Sequence, residues 1–144
     1  MILPDINLLI HAHNLDSPVH EESRQWLQEL IDGSVGVGLP WVVQLGFIRI
    51  TTHPGILANP LPVSSVLNRL ESWLALPHFH VPHPGERHFE SLKRFLNRVG
   101  VAGNLTTDAH LAALAVTHGY ELHTTDTDFA RFPGLKWLNP IKKS

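Results

Sequence analysis

The amino-acid sequence predicts an α/β domain in which a mostly parallel sheet is covered by helices on both faces. Short apolar segments alternate with longer segments of helical periodicity, and this alternation is typical of crossover units between parallel strands. The length of 144 residues matches one compact domain, so we expect residues 1–144 to form a single unit. Hydrophobic residues at 43% and charged residues at 17% are typical of a globular chain.

The first half of the chain is predicted to hold two strands and three helices. A short apolar strand ends at or just after Asp5 and turns into the first helix. Ser17 and Pro18 suit the N-cap and first position of the second helix, which Gly33 ends. Pro40 begins an apolar run whose length favours a helix over a strand. The predicted ranges after the first helix are helix 18–31, strand 35–39, helix 41–50 and loop 51–62.

The second half continues the alternation with three more helices and three more strands. Apolar side chains recur at helical spacing, and Gly100 and Gly119 follow the last residues of two of these helices. Pro82 ends the strand that follows the helix predicted at 63–76. The predicted ranges are helix 63–76, strand 78–82, helix 86–99, a helix of small residues at 106–118, strand 120–124 and strand 135–139.

Composition excludes several classes of site. The chain has no cysteine, which rules out disulfides, thiolate zinc sites, iron–sulfur clusters and a cysteine nucleophile. Its 11 histidines form no metal-binding motif, so we interpret them as surface or half-buried side chains. The formal charge of −2 lacks the basic excess of a non-specific nucleic-acid binder. The sequence contains no secretory signal and no apolar run of about 18 residues, so we expect a cytoplasmic protein that is not in a membrane.

Four aspartates are predicted to meet at one edge of the sheet. Asp5 comes at the end of the first strand, and Asp126 and Asp128 directly follow the strand 120–124. Asp108 lies in the first turn of its helix, which the topology allows at the same edge. In a parallel sheet the binding crevice lies beyond the carboxyl ends of the strands. Clustered carboxylates without cysteine favour Mg²⁺ or Mn²⁺, and such a site is suited to phosphodiester hydrolysis.

Each acid also has a purely structural interpretation. Asp108 follows two threonines and could serve only the dipole of its helix. Asp126 and Asp128 could be ordinary turn residues. Asp5 has no such role, because a carboxylate within an apolar strand is costly to bury without a partner. The shared position of the acids favours the functional interpretation for the set.

Four segments carry a resemblance to a known family: LPDINLL at 3–9, the run from Pro40 to Thr52, NLTTDAHLAALA at 104–115 and HTTDTDFARF at 123–132. In this order and at these separations they resemble the PIN-domain family, and most closely its VapC-type ribonuclease toxins from prokaryotic toxin–antitoxin pairs. The resemblance implies a three-layer α/β/α domain with the activity of an endoribonuclease toxin that uses Mg²⁺ or Mn²⁺. It also implies an RNA substrate, inhibition by a cognate VapB-type antitoxin, and a homodimer.

The resemblance also implies roles for individual residues, of which the four aspartates are the candidate catalytic residues. The implied roles are metal ligation by Asp5, Asp108 and Asp126, metal binding directly or through water by Asp128, orientation of these carboxylates by Asn7 and Thr124, and a candidate phosphate contact by Arg131. The side chain of Arg131 could equally cover the core beside Phe132.

One position departs from the family pattern. Family members usually carry a glutamate on the helix after the second strand, and Gly46 stands at that position, with Gln44 as the nearby polar side chain. A glycine within a helix costs roughly 1 kcal/mol relative to alanine, which indicates close packing or substrate access there. The missing charge makes a second metal ion doubtful. A catalytically silent PIN-like binding module is therefore the main alternative to an active nuclease.

A third hypothesis assigns the same acids to a different substrate, as in a nuclease acting on DNA structures or a phosphatase-like hydrolase. The lack of a basic stripe in the sequence argues against long duplex substrates. Candidate RNA contacts, each with the alternative of a solvated surface position, are Arg49, Arg94, Arg98 and Arg131. Apolar stripes from which an antitoxin groove could be built contain Trp26, Trp41 and Phe47, although most such side chains belong to the core.

Overall fold

In the part of the chain that the structure describes, five parallel strands form the central sheet. The computed structural model describes residues 1–100, 102–103 and 105–141. The strands are β1 (Ile2–Pro4), β2 (Val37–Gly38), β3 (Phe79–His80), β4 (Glu121–His123) and β5 (Trp137–Leu138). Their order across the sheet is β3-β2-β1-β4-β5, and each neighbouring pair is parallel. The strand that ends beside Asp5 is therefore central, and Pro4 pairs with His123 on β4.

Within the described residues, six α-helices connect and cover these strands. They are α1 (Ile6–His13), α2 (His20–Asp32), α3 (Trp41–Thr51), α4 (Val63–Leu74), α5 (His88–Val99) and α6 (Leu105–His118). Helix α1 packs against α2 and α3, α3 packs against α4, and α5 packs against α6. The result is the three-layer α/β/α arrangement, which confirms the predicted fold class. No helix in the described ranges combines the length and the apolar character needed to cross a bilayer.

The core lies between the sheet and the two groups of helices. Leu3 and Leu122 on the central strands are fully buried, as are Phe47 on α3 and Phe95 on α5. The small residues of α6, including Ala112, are also fully buried, because helices rich in alanine can pack closely against a sheet. This packing fixes the ends of β1 and β4 relative to the start of α6.

The second helix begins later than predicted. The proposed start at Pro18 is wrong, because α2 begins at His20 with Val19 as its N-cap. The Ser17 hydroxyl instead accepts a hydrogen bond from the backbone N–H of Val19 at 3.2 Å. This contact closes a turn over residues 17–19, so the helix can start only after it. The strand predicted at 35–39 is also shorter, since only β2 pairs with its neighbours.

The three aromatic residues of the predicted apolar stripes have different environments. Trp26 and Phe47 belong to the core, whereas Trp41 is 56% exposed at the start of α3. The indole N–H of Trp26 donates to Nδ1 of His123 at 3.0 Å and so connects α2 to β4. The opposite ring nitrogen of His123 lies 2.9 Å from the carboxylate of Glu121. The buried contact between Trp26 and His123 holds the end of β4 in place directly before Thr124.

Candidate functional site

Asp5 is the N-cap residue of α1, so the expectation that it has no capping role is wrong. Both of its carboxylate oxygens accept hydrogen bonds. Oδ1 accepts from the backbone N–H of Ile6 at 2.7 Å, and Oδ2 accepts from the hydroxyl of Thr124 at 2.8 Å. The residue is only 8% exposed. Burial raises the pKa of this carboxyl, the two hydrogen bonds oppose the rise, and the charge of Asp126 adds to it. The carboxylate is therefore fixed in orientation at a cost in solvation.

A chain of short contacts continues from Asp5 into the segment after β4. The Thr124 hydroxyl that donates to Asp5 also accepts from the backbone N–H of Asp126 at 3.0 Å. Oδ1 of Asp126 in turn accepts from the backbone N–H of Asp128 at 2.8 Å, which caps a short 3₁₀ helix (Thr127–Arg131). The sequence analysis assigned no helix or strand to these residues. Thr124 is fully buried, so this network is part of the rigid structure.

Asp108 lies in the first turn of α6 and is close enough to interact electrostatically with the other three acids. Its pKa is raised to about 6, first by burial and then by the charges of Asp5, Asp126 and Asp128. Interactions between charges fade beyond a screening length of about 10 Å at ordinary ionic strength. The structure therefore brings all four predicted aspartates to the same edge of the sheet.

The negative charge at this edge has little compensation from basic side chains. Within the described ranges, the one ion pair that involves these four acids joins Arg131 to Asp128, with Nε and Oδ1 separated by 3.9 Å. Arg131 and Asp128 are both largely exposed, so their attraction contributes little stability. A bound cation would remove the repulsion that raises the pKa of Asp108.

The chemistry of the donors fits a hard divalent cation. All four acids offer carboxylate oxygens, and the side-chain oxygen of Asn7 is buried without a hydrogen-bond partner. Across residues 1–100, 102–103 and 105–141, no three His, Asp or Glu side chains are arranged to hold a metal ion as they stand. The acids thus lie at one edge of the sheet, but their carboxylates are not arranged to coordinate a single ion.

Gly46 is buried within α3 because it packs against Ile6, the residue that follows Asp5. A Cβ atom at this position would lie 2.5 Å from Cδ1 and 3.1 Å from Cγ1 of Ile6. Gln44 does not replace the missing acid, since its side-chain amide donates to the backbone oxygen of Leu39 at 2.8 Å. Close packing therefore explains the glycine, and the side chain of Ile6 fills the space where a longer residue would begin.

Replacing Gly46 with alanine is expected to destabilise the protein by about 1 kcal/mol. The gain in helix propensity, roughly 1 kcal/mol, is outweighed by a clash with Ile6 that costs about 1–3 kcal/mol. Removing Cδ1 with Ile6→Val should make the same alanine substitution neutral or stabilising. Urea unfolding of the four members of this mutant cycle measures the coupling. Equal costs of Gly46→Ala in both backgrounds would contradict the packing explanation.

Two features near the site were not anticipated from the sequence. The contact of Trp26 with His123 joins residues that are 97 positions apart. His88 and His110, on α5 and α6, lie with Nε2 and Nδ1 2.9 Å apart, and the pKa of each is lowered mainly by burial. His110 is half-buried, as expected from the sequence, whereas His88 is buried, which was not expected. Their pairing depends on how the two helices pack.

Comparison with known proteins gives consistent matches over nearly the whole chain. The family model described as PIN domain matches residues 2–135. The chain is 38% identical over 143 residues to "Ribonuclease VapC33" of Mycobacterium tuberculosis, covering 99% of this chain and 100% of that protein. It is 40% identical over 140 residues to "Ribonuclease VapC37" of the same species, covering 97% of each chain. A solved structure, "Toxin-antitoxin complex from Klebsiella pneumoniae", has a chain with a TM-score of 0.60 at 20% identity, covering 97% of this chain and 98% of that one.

Proposed function

This chain belongs to the PIN-domain family, and from that premise we propose that it is a metal-dependent endoribonuclease, the toxin of a toxin–antitoxin pair. It hydrolyses RNA phosphodiester bonds in the cytoplasm with Mg²⁺ or Mn²⁺, and a cognate VapB-type antitoxin holds it inactive. The observation that carries the proposal is the set of four aspartates at the carboxyl edge of the sheet, where burial and the charges of the other three raise the pKa of Asp108. The names of the two relatives support the ribonuclease activity, and the structural match supports an antitoxin partner.

The proposed roles follow the position of each side chain. The cation would be held by Asp5, Asp108 and Asp126, with Asp128 as an outer acid, Asn7 and Thr124 as orienting residues and Arg131 as a phosphate contact. When bound, Mg²⁺ or Mn²⁺ supplies positive charge that activates water and stabilises the negative charge developing on the phosphate oxygens.

The protein's own contribution is to orient and tune these carboxylates. Thr124 donates to Asp5 and accepts from the backbone of Asp126, so a single hydroxyl sets the relative positions of two proposed ligands. Asp108, with a pKa of about 6, exchanges its proton close to neutral pH. Cation binding at this edge is therefore coupled to proton release from Asp108. Asp5 itself is largely shielded from solvent.

The organisation of the active protein is also proposed from family membership. Residues 1–144 act as one domain, because the curated relatives align with this chain over nearly their full length. The homodimer is proposed on the family resemblance alone. The exposed Trp41 is available to a partner, whereas the buried Trp26 and Phe47 are not.

The direct test is cleavage of total cellular RNA by purified protein freed of any antitoxin. Parallel reactions contain Mg²⁺, Mn²⁺ or EDTA, and the RNA products are mapped by sequencing their new ends. Discrete fragments that require a divalent cation are expected. Absence of fragments under every condition, with folding and cation binding verified independently, would contradict the proposed activity.

A catalytically silent binding module is the second candidate, and Gly46 is the observation that favours it. The glycine removes a carboxylate that the family usually supplies, and Ile6 occupies the space beside it. This candidate predicts tight antitoxin binding without RNA turnover at any concentration of Mg²⁺ or Mn²⁺. The same cleavage experiment therefore separates the two candidates.

A further inference from the structure

Three arginines form a row along one side of α5. Arg87 is the N-cap of the helix, and Arg94 and Arg98 follow after seven and four residues. These spacings are close to whole helical turns, so the three residues share one side of the helix. All three are exposed, and none is in an ion pair within the described ranges. The sequence shows no continuous basic run here, and only the helical repeat gathers these charges.

A cleft of about 820 Å³ lies beside this row, between the start of α5 and the end of α6. Arg87, Ser91 and Arg94 line the cleft on the side of α5 together with the carboxylates of Glu86 and Glu90, and Thr117 and His118 line it on the side of α6. Ser91 is 9% exposed, and its hydroxyl makes no hydrogen bond to any described residue. The Ser91 hydroxyl is not among the buried unpaired side-chain atoms of the described residues, so it is accessible from the cleft and can donate a hydrogen bond to a ligand there.

We propose that the arginine row and this cleft bind the phosphate backbone of single-stranded RNA. The proposal rests on the ribonuclease function proposed above and extends it by naming a surface that holds the substrate. Each guanidinium offers several N–H donors in a planar arrangement that matches phosphate oxygens. The Ser91 hydroxyl donates to a further phosphate oxygen inside the cleft.

The charge distribution explains why such a surface is needed. The four aspartates of the candidate site repel phosphates, and the whole chain carries a formal charge of −2. Residues 86–98 contain four basic and two acidic side chains, which makes this segment locally positive. No other helix in the described ranges carries more than one Lys or Arg.

The row also leads towards the candidate site. Arg98 is the second-last residue of α5, and only residues 100–104 separate that helix from α6. Asp108 lies in the first turn of α6. An RNA strand held along α5 would therefore reach the end of α6 that carries the proposed metal ligand.

The test measures binding of a fluorescent single-stranded RNA of about 12 nucleotides by anisotropy in EDTA, which prevents cleavage. The variant is Arg87→Gln/Arg94→Gln/Arg98→Gln in the full chain, with thermal unfolding as a check of folding. Its affinity is expected to fall at least about tenfold at about 50 mM salt, and its salt slope to fall by about 2. Lys93→Gln is the matched control, because it removes a positive charge from the same helix outside the row. It should leave the salt slope nearly unchanged.

The Ser91→Ala variant tests the contribution of the Ser91 hydroxyl separately from that of the arginine charges. It should weaken RNA binding severalfold without changing the salt slope, because it removes a hydrogen bond and no charge. Unchanged RNA affinity and salt slope in the triple variant would overturn the proposal. Unchanged RNA affinity with lost binding of poly-L-glutamate would also overturn it, and would assign the row to an acidic protein partner.

Cleavage kinetics distinguish failure of this inference from failure of the proposed function. If the wild-type protein cleaves RNA and the triple variant does so with unchanged KM, only the arginine surface is wrong. If the wild-type protein binds RNA through the arginines but never cleaves it, the ribonuclease proposal fails and the RNA-binding surface stands.

Discussion

Substitution of Asp5 by asparagine is expected to abolish metal-dependent RNA cleavage while the chain stays folded. The change removes one charge and almost no volume, and the remaining amide oxygen can still accept from the backbone of Ile6 or from Thr124. Loss of a carboxylate ligand should slow cleavage at least about 1,000-fold, equivalent to roughly 4 kcal/mol in the barrier. Initial rates on a defined RNA, measured over a range of Mg²⁺ concentrations, provide the readout.

The stability of this variant gives a second prediction for the same residue. Burial raises the pKa of Asp5, so the ionised form is disfavoured in the folded protein without metal. The Asp5→Asn variant should therefore unfold at a higher temperature than the wild type at neutral pH in EDTA. Asp16→Asn, at an exposed turn between α1 and α2, is the matched control and should change neither rate nor stability. If the Asp5→Asn variant cleaved RNA at the wild-type rate, the proposed role of Asp5 in the site would be wrong.

Asp108 is expected to make the stability of the metal-free protein depend on pH. Its folded pKa of about 6 is above its ordinary value of 3.8, so the folded state retains a proton that the unfolded state has already lost. The unfolding free energy therefore decreases as pH rises from about 4 to about 6. Asp108 is half-buried, and screening by solvent reduces the expected change to about 1 kcal/mol.

Asp108→Asn should remove this dependence. In EDTA at pH 7 the variant is expected to unfold about 3 °C above the wild type, whereas at pH 4 the two should unfold together. Added Mg²⁺ should make the wild type unfold above the variant at pH 7. The cation stabilises the folded wild type by mass action, whereas the variant lacks one of the proposed ligands. Thermal unfolding by circular dichroism at both pH values, with and without Mg²⁺, tests all three statements. Parallel pH profiles for wild type and variant in EDTA would refute the role of Asp108.

The candidate site shows which parts of a site can be predicted from one sequence. The positions of Asp5 and Asp126 after predicted strands placed them at the same edge, since parallel strands share the direction of their carboxyl ends. The structure gathers the four acids there, while their roles as metal ligands stay predictions. Thr124 was assigned an orienting role only through the family resemblance, and its bond to Asp5 gives that role a physical basis.

Gly46 illustrates the limit of sequence reasoning at a single position. The sequence indicated close packing or substrate access without distinguishing between them. The structure decides for packing, because Ile6 lies within 2.5 Å of the position of a Cβ atom. No local pattern could have identified that neighbour, since α1 and α3 are separated by a further helix and a strand.

The sequence by itself determined the order of strands and helices, the α/β class and the acids that follow the strands. These features depend on apolar periodicity and on residues such as Pro40, whose effects act over a few neighbouring positions. Tertiary structure alone decided the contacts of Thr124 with Asp5 and of Trp26 with His123, and the cleft beside the arginine row of α5. Such contacts join residues far apart in the chain, so they depend on which helices and strands pack together and not on local propensity.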